Sequence, residues 1–303
     1  MAKKKLVWYI TKRGFGSEML LMLMSIVYAE HKNMEFVLVS KYSNYFFKRG
    51  WRSLFSSLIE ESFHPAPKFN LWPVTLKQKI SNLFFSMKNK FYHGIFALSN
   101  IDSFKIIWNK EFENNRFSSK KFSYQNVSLV EAVSKILENI WVLSRQDILN
   151  NLEFNAKSNN NSKYLCVHIR AGDKISGKTK EAEPVDFDYL SSLVYSLPLK
   201  FENICVITDD YNSYLSFASL YRNFSLNTSC PESHFGYFNS SFLVESPDQI
   251  FLETQRLIGD IEIATRALYF IGPYSSNLSR LIYLLRKGEN CFNYEGKSFS
   301  LIY

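Results

Sequence analysis

The stretch Tyr164–Glu181, reading YLCVHIRAGDKISGKTKE, decides how the rest of the chain is understood. Leu165-Cys166-Val167-His168-Ile169 is an apolar run with β-branched residues, the pattern of a buried strand. It breaks at Arg170-Ala171-Gly172-Asp173-Lys174, where glycine frees the backbone and charged side chains concentrate. An open α/β sheet places its ligands beyond the carboxyl ends of its strands, so this exit is a candidate anion site. Arginine offers a planar fork of donors to phosphate oxygens, lysine a point charge, and aspartate a group to hold either in place. A surface loop with an ordinary salt bridge would have the same composition. The rest of the chain has to decide between the two.

Downstream, strands alternate with helices. A helix is expected near Asp186–Leu197, then a strand Ile204–Ile207 ending in Thr208-Asp209-Asp210, then a helix over Tyr211–Tyr221. Gln249–Ala267 reads as a longer helix, Leu268–Gly272 as a strand, Pro273–Asn277 as a turn and Leu278–Lys287 as a helix. This alternation predicts a parallel sheet covered on both faces. Polar residues sit at each strand exit: Arg170, Asp173 and Lys174; Asp209 and Asp210; Ser275 and Ser276. Such exits on one edge of a sheet favour a composite site.

Upstream, Leu6–Ile10 and Phe36–Val39 read as strands around a helix over Met19–His31. Gly14 and Gly16 permit a tight turn before that helix, and Ser17 can cap it. The order is that of a Rossmann-type half with an anion-friendly helix N-terminus, although the third glycine of the dinucleotide fingerprint is missing. Residues 41–125 mix aromatic and basic side chains without a readable period. Leu129 to Asn155 has helical spacing, and the polar break Asn155–Lys163 suggests a boundary between domains spanning 1–157 and 158–303.

The composition narrows the classes of function. The 303 residues carry a net charge of +8 and are 46% hydrophobic and 17% aromatic. The charge favours anionic partners such as a nucleotide diphosphate or an anionic membrane surface. Positive residues are scattered, and no nucleic-acid-binding motif occurs, so nucleic acid is not expected as a partner. The four cysteines lack CxxC spacing, which argues against a zinc site or a disulfide framework. No secretory signal is evident, because Met1-Ala2-Lys3-Lys4-Lys5 leads into only six residues before Lys12 and Arg13. No apolar run approaches the roughly 18–20 residues that span a bilayer. The chain therefore reads as cytoplasmic, with a basic N-terminus suited to peripheral contact at the inner membrane face.

The second half resembles the GDP-fucose-dependent fucosyltransferases, closest to the α1,6-fucosyltransferase group and related to the α1,2- and O-fucosyltransferases. The resemblance rests on His168-Ile169-Arg170-Ala171-Gly172-Asp173-Lys174, Tyr189, Thr208-Asp209-Asp210, Asp260 within Gly259-Asp260-Ile261-Glu262, and Ser275-Ser276, all in the family's order. It covers about residues 164–287 and, through Gly14-Phe15-Gly16, extends to 6–40. It implies an α/β, GT-B-like fold of two Rossmann-type domains facing a cleft. The first would be the acceptor-side domain and the second would bind the nucleotide sugar.

By that resemblance Arg170 holds the donor's β-phosphate, and His168 and Asp260 meet the guanine-nucleoside end. A carboxylate can accept paired hydrogen bonds from guanine. Ser275, Ser276 and neighbouring N–H groups would cap the phosphates, with Tyr189, Asp209, Asp210, Gly14 and Gly16 also in the donor site. Asp173 and Lys174 would order the reacting groups, and Glu181 would be the general base, with Glu183 as its rival. Ala171 stands where many relatives carry a second arginine. The implied reaction is an inverting transfer of fucose from GDP-fucose to a hydroxyl of a glycan, such as O-antigen, lipopolysaccharide or a lipid-linked acceptor. No metal or cofactor is expected: the only Asp-x-Asp triplet, Asp186-Phe187-Asp188, falls at a helix start, and although the adjacent Asp209-Asp210 could bind Mg²⁺, arginine and lysine already oppose the diphosphate. A different nucleotide sugar as donor, or a non-catalytic nucleotide- or glycan-binding role, is the alternative. Individual residues also have plainer readings: His168 as a core histidine, Asp209-Asp210 as a helix cap. Asp260 resists one, because a carboxylate buried in an apolar helix face is costly without partners.

Overall fold

The apolar runs near the N-terminus become β1 (Lys5–Tyr9) and β2 (Glu35–Val39), joined by α1 (Phe15–His31). The computed structural model describes residues 5–10, 13–40, 45, 50–55, 59–61, 95–98, 109–142, 163–172, 175, 183–198, 201–238, 242 and 245–301. The chain divides into two units, Met1–Arg145 with Leu301–Tyr303, and Gln146–Ser300. In the first, β1 and β2 are joined by β3 (Glu60–Glu61) and β4 (Ile95–Leu98) in a parallel sheet ordered β3-β2-β1-β4. A one-turn helix α2 (Lys110–Glu113) precedes an antiparallel pair, β5 (Phe117–Ser119) and β6 (Tyr124–Val127), and α3 (Leu129–Ile140) follows.

Two boundaries differ from expectation. Helix α1 begins about a turn sooner, with Gly14 at its N-cap, so Ser17 lies inside the helix and does not cap it. The cause is tertiary: Phe15 is buried, its ring edge-on to Tyr45 at 5.5 Å and to Trp141 at 6.4 Å, which draws the first turn into the core. Helix α3 opens on a capping box between Ser128 and Glu131 and ends at Ile140, well before Asn155. Trp141 leaves the helical conformation there, and its ring packs 5.0 Å from Phe55.

The second unit carries β7 (Tyr164–Ile169), α4 (Phe187–Ser196), β8 (Asn203–Thr208), α5 (Tyr211–Leu220) and β9 (Ser225–Thr228). Then come α6 (Pro247–Arg266), β10 (Tyr269–Ile271), α7 (Asn277–Leu285) and β11 (Cys291–Phe292). All strand pairs in this sheet are parallel, in the order β11-β10-β7-β8-β9. This is the doubly wound order, and its direction reverses between β7 and β10. Strand alternation divides the layers. Leu165, Val167 and Ile169 of β7 and Ile204 and Val206 of β8 pack with Leu190 and Val194 of α4 and with Phe217 and Tyr221. Cys166 and His168 take the other face, where His168 meets Ser279 of α7.

Side-chain caps fix the starts of α4, α5 and α6. Asp186 accepts from the N–H groups of Asp188 and Tyr189, Asp210 from that of Ser213, and Ser246 from that of Gln249, with Pro247 following at the first helical position. Arg286, at the end of α7, donates to the carbonyls of Ala264, Thr265 and Ala267 at 2.7–3.1 Å and of Leu268 at 3.3 Å. It thereby closes the C-terminus of α6, whose last carbonyls have no partner within the helix.

Candidate functional site

Beyond Ile169 the chain leaves β7 at the reversal point of the sheet, and Arg170 meets Asp209 from the exit of β8. The two form an ion pair, with side chains 16% and 17% exposed. Asp209 gathers more than this one cation. Its Oδ1 accepts the Ala171 N–H at 2.9 Å, its Oδ2 accepts the Tyr237 N–H at 2.9 Å, and its carbonyl accepts the Gly236 N–H at 2.8 Å. A single carboxylate thus fixes the exit of β7 and the loop 229–238 after β9. The Tyr237 ring lies under the guanidinium, 5.6 Å from the Arg170 Cζ, at cation–π distance. Tyr294 is buried nearby, which pushes its hydroxyl up, while a hydrogen bond with the Arg170 backbone works the other way.

Gly172 and Gly236 make this arrangement possible. Both have positive φ, +67° and +98°. A Cβ at Gly172 would collide with the Tyr237 backbone, and one at Gly236 would stand 2.8 Å from the Gly172 Cα. The two loops meet backbone to backbone, an approach only glycine permits.

The α6–α7 face of the sheet holds the buried polar groups. His168 is 3% exposed, with its Nδ1 2.7 Å from Ser279 Oγ. Burial first, and Arg170 second, push it down to about 4, with Asp209 opposing. Asp260, 5% exposed on α6, accepts from Ser229 Oγ just beyond β9. Burial raises it to about 6 against the pull of Ser229 and Arg256. One turn earlier on α6, Arg256 pairs with Glu253 at 2.5 Å, and Glu253 also faces Gln249 at 3.1 Å and His234 at 3.5 Å. Cys166 and Cys205 are cross-strand partners on this face, and the hydrogen bond between them, together with burial, holds the Cys205 thiol well up.

The sequence-derived candidates thus fall into separate places. Arg170 and Asp209 meet directly, whereas Asp210 caps α5, taking Ser213 N at 2.9 Å and Ser213 Oγ at 2.5 Å. Ser275 is bound at the exit of β10 to Glu295, whose Oε2 accepts its N–H at 2.8 Å. Ser276 occupies the N-cap of α7 without a side-chain cap bond. Tyr189 projects from the first turn of α4 and is half exposed. Gly14 and Gly16 belong to the other unit, at the start of α1. Asp173, Lys174 and Glu181 lie outside the described residues. Tyr237, Gly236, Ser229, Glu295 and Arg280 escaped the sequence reading. Arg280 is buried in the first turn of α7, with Nε donating to the Tyr274 carbonyl at 2.6 Å. Only Gly236 carried a local signal, as a glycine among aromatics. Among the described residues no group of three or more His, Cys, Asp or Glu is placed to hold a metal, and no helix is long and apolar enough to cross a membrane.

No protein-family model matches the chain, and no curated protein matches it by sequence. Solved structures do. NodZ α-1,6-fucosyltransferase soaked with GDP-fucose superposes with a TM-score of 0.55 at 13% identity, over 94% of this chain and 93% of that one. Another crystal structure of NodZ, from Bradyrhizobium, gives 0.53 at the same identity. FUT1 of Arabidopsis thaliana, in a substituted form bound to GDP, gives 0.52 at 11% identity, over 94% of this chain and 69% of that one. POFUT1 in complex with GDP gives 0.53 at 10% identity, over 96% and 98%. At such identities the likeness is one of fold: the chain has the GT-B-like α/β architecture of these proteins.

Proposed function

We propose that this chain is a glycosyltransferase that moves fucose from GDP-fucose to a hydroxyl of a glycan, with inversion at the anomeric carbon. The observation that carries the reading is Arg170, held by Asp209 at the reversal point of a doubly wound sheet, in a fold shared along nearly the whole chain with fucosyltransferases solved with GDP or GDP-fucose. Arg170 engages the β-phosphate. As the bond from the anomeric carbon to the phosphate oxygen breaks, its electron pair leaves with GDP, and the guanidinium stabilises that charge. The acceptor oxygen attacks from the opposite face, and its proton passes to a carboxylate. Glu181 fills that role, with Glu183 as the competing base, and Asp173 and Lys174 order the loop and the reacting groups. Asp260, fixed by Ser229, serves the guanine end together with His168. The backbone at Ser275 and Ser276, with the start of α7, faces the phosphates.

Catalysis of this kind draws on positioning and on cationic stabilisation of the leaving group, and needs no metal. Unchanged turnover in EDTA is therefore expected; loss with EDTA and recovery with Mg²⁺ would contradict it. The acceptor is a glycan built on a lipid carrier or lipopolysaccharide at the inner membrane face, a reading that rests on the charge of +8. Far higher activity on a soluble oligosaccharide than on a lipid-linked one would count against it.

A second reading, a related nucleotide sugar as donor, draws on Ala171. It is buried and offers Asp209 only its backbone N–H, where the resemblance leads one to expect a second arginine. Thermal-shift screening with GDP, UDP and CDP, followed by mass-spectrometric donor screening, separates the two. GDP alone should stabilise the protein, and GDP-fucose alone should turn over. Binding without turnover across acceptors would indicate a non-catalytic protein. Full activity in Arg170→Ala would sink the site.

A further inference from the structure

We propose that Phe238 is the residue that recognises the transferred sugar, its ring lying against the C–H face of the donor's hexose. The assignment rests on the functional reading above and deepens it. Loop 229–238 runs from Asp260 at one end to Asp209 and Arg170 at the other. Ser229 binds Asp260; the His234 carbonyl accepts from the Tyr211 N–H at 2.8 Å; Phe235 bridges Asp210; Gly236 and Tyr237 donate to Asp209, with Tyr237 under Arg170. A nucleotide diphosphate sugar with its base toward Asp260 and its phosphates at Arg170 runs parallel to this loop. The next residue along the loop then stands beside the next group along the ligand, which is the sugar.

Phe238 is that next residue. Its Cε2 lies 3.4 Å from where a Cβ on Gly236 would stand, and Gly236 itself packs against Gly172, two positions past Arg170. The ring is nonetheless 42% exposed. Tyr237 is already engaged, under Arg170 and 5.4 Å from Phe242, while Phe235, 64% exposed, lies further back along the loop beside Asp210. A 6-deoxyhexose presents ring C–H groups and a methyl in place of a hydroxymethyl, an apolar surface matched to an exposed phenyl ring.

Isothermal titration of the full chain with two probes, GDP and GDP-fucose, tests this. In Phe238→Ala, GDP-fucose should bind roughly five- to tenfold more weakly while GDP changes less than about twofold, the size expected of one aromatic contact. Phe238→Tyr should restore most of the loss. Equal weakening of both probes would overturn the proposal by assigning the ring to the nucleotide, and so would unchanged affinity for both. A melting temperature equal to that of the unaltered protein confirms that Phe238→Ala is folded, as substitution of a half-exposed ring should allow. If the unaltered chain binds neither probe, the functional reading fails and takes this assignment with it; if it binds GDP and GDP-fucose equally tightly, the sugar contact alone is refuted.

Discussion

His168 and Asp260 lie buried on the same face of the second sheet, and their titrations oppose one another. His168 falls from the usual 6.5 to about 4, under burial and Arg170, with Asp209 opposing. Its contribution to stability is therefore full above pH 6.5 and is lost as pH falls toward 4. Asp260 rises from 3.8 to about 6, under burial and Glu253, with Ser229 and Arg256 opposing. Its contribution is full below pH 3.8 and is lost as pH rises through 6. Each shift corresponds to something on the order of 3 kcal/mol, so the two slopes offset one another between pH 4 and 6. Urea midpoints across pH 4–7 should expose them separately. Asp260→Asn should grow more stable as pH rises through this window, and His168→Gln less stable. Variants that both keep the parental profile would contradict the burial assigned to these groups. At this scale the sequence already marked Arg170 and Asp209, because charged residues at the ends of apolar strands are visible as text. Tyr237, Ser229 and Glu295 were invisible, because chain closure over long separations brings them to the site and no local pattern announces it.

Among the elements, the join between α6, β10 and α7 depends on Arg286. Its guanidinium serves the carbonyls of Ala264, Thr265, Ala267 and Leu268, all at the end of α6 and the entry to β10. Arg286→Met should cost about 3 kcal/mol in urea unfolding, since it strands buried carbonyls. Arg286→Lys should recover only a small part, because a point charge cannot span a fan of acceptors. A loss under about 0.5 kcal/mol for the methionine variant would show that water can take over those bonds. Strands β7, β8 and β10 were legible because strands buried on both faces are nearly continuous apolar runs. Strand β9, Ser-Leu-Asn-Thr, and the two-residue β11 were not, because short edge strands need no apolar signature. The early start of α1 and the early end of α3 follow from where the rings of Phe15 and Trp141 pack, which periodicity does not encode.

For the molecule as a whole, the two sheets repeat one plan. Each runs parallel, with its first strand beside its last-formed neighbour on one side and its second strand on the other. The resemblance read from the sequence covered about 164–287 and, less fully, 6–40, whereas the fold is shared over 94% of the chain with NodZ. The remainder stayed unreadable because residues 41–125 mix aromatic and basic side chains without period. If GDP binds as proposed, hydrogen exchange should slow at the amides of Ala171, Gly236, Tyr237 and Ser275. Protection confined to residues 5–140 would move the nucleotide to the other unit. With its charge of +8, the protein should also co-sediment with phosphatidylglycerol vesicles at low salt and be released at about 0.5 M, where screening shortens to a few ångströms. Sedimentation that ignores salt would rule out an electrostatic contact.

The contact between Gly172 and Gly236 has a practical consequence for re-engineering the protein. Randomising either position yields mostly lost variants, since any side chain forces the loops after β7 and β9 apart and takes Asp209 away from Arg170. A mutant library aimed at a new donor should hold both glycines constant and diversify Phe235 and Phe238, whose side chains face solvent and whose backbones are already pinned. Variation is tolerated beside such a fastening, not in it.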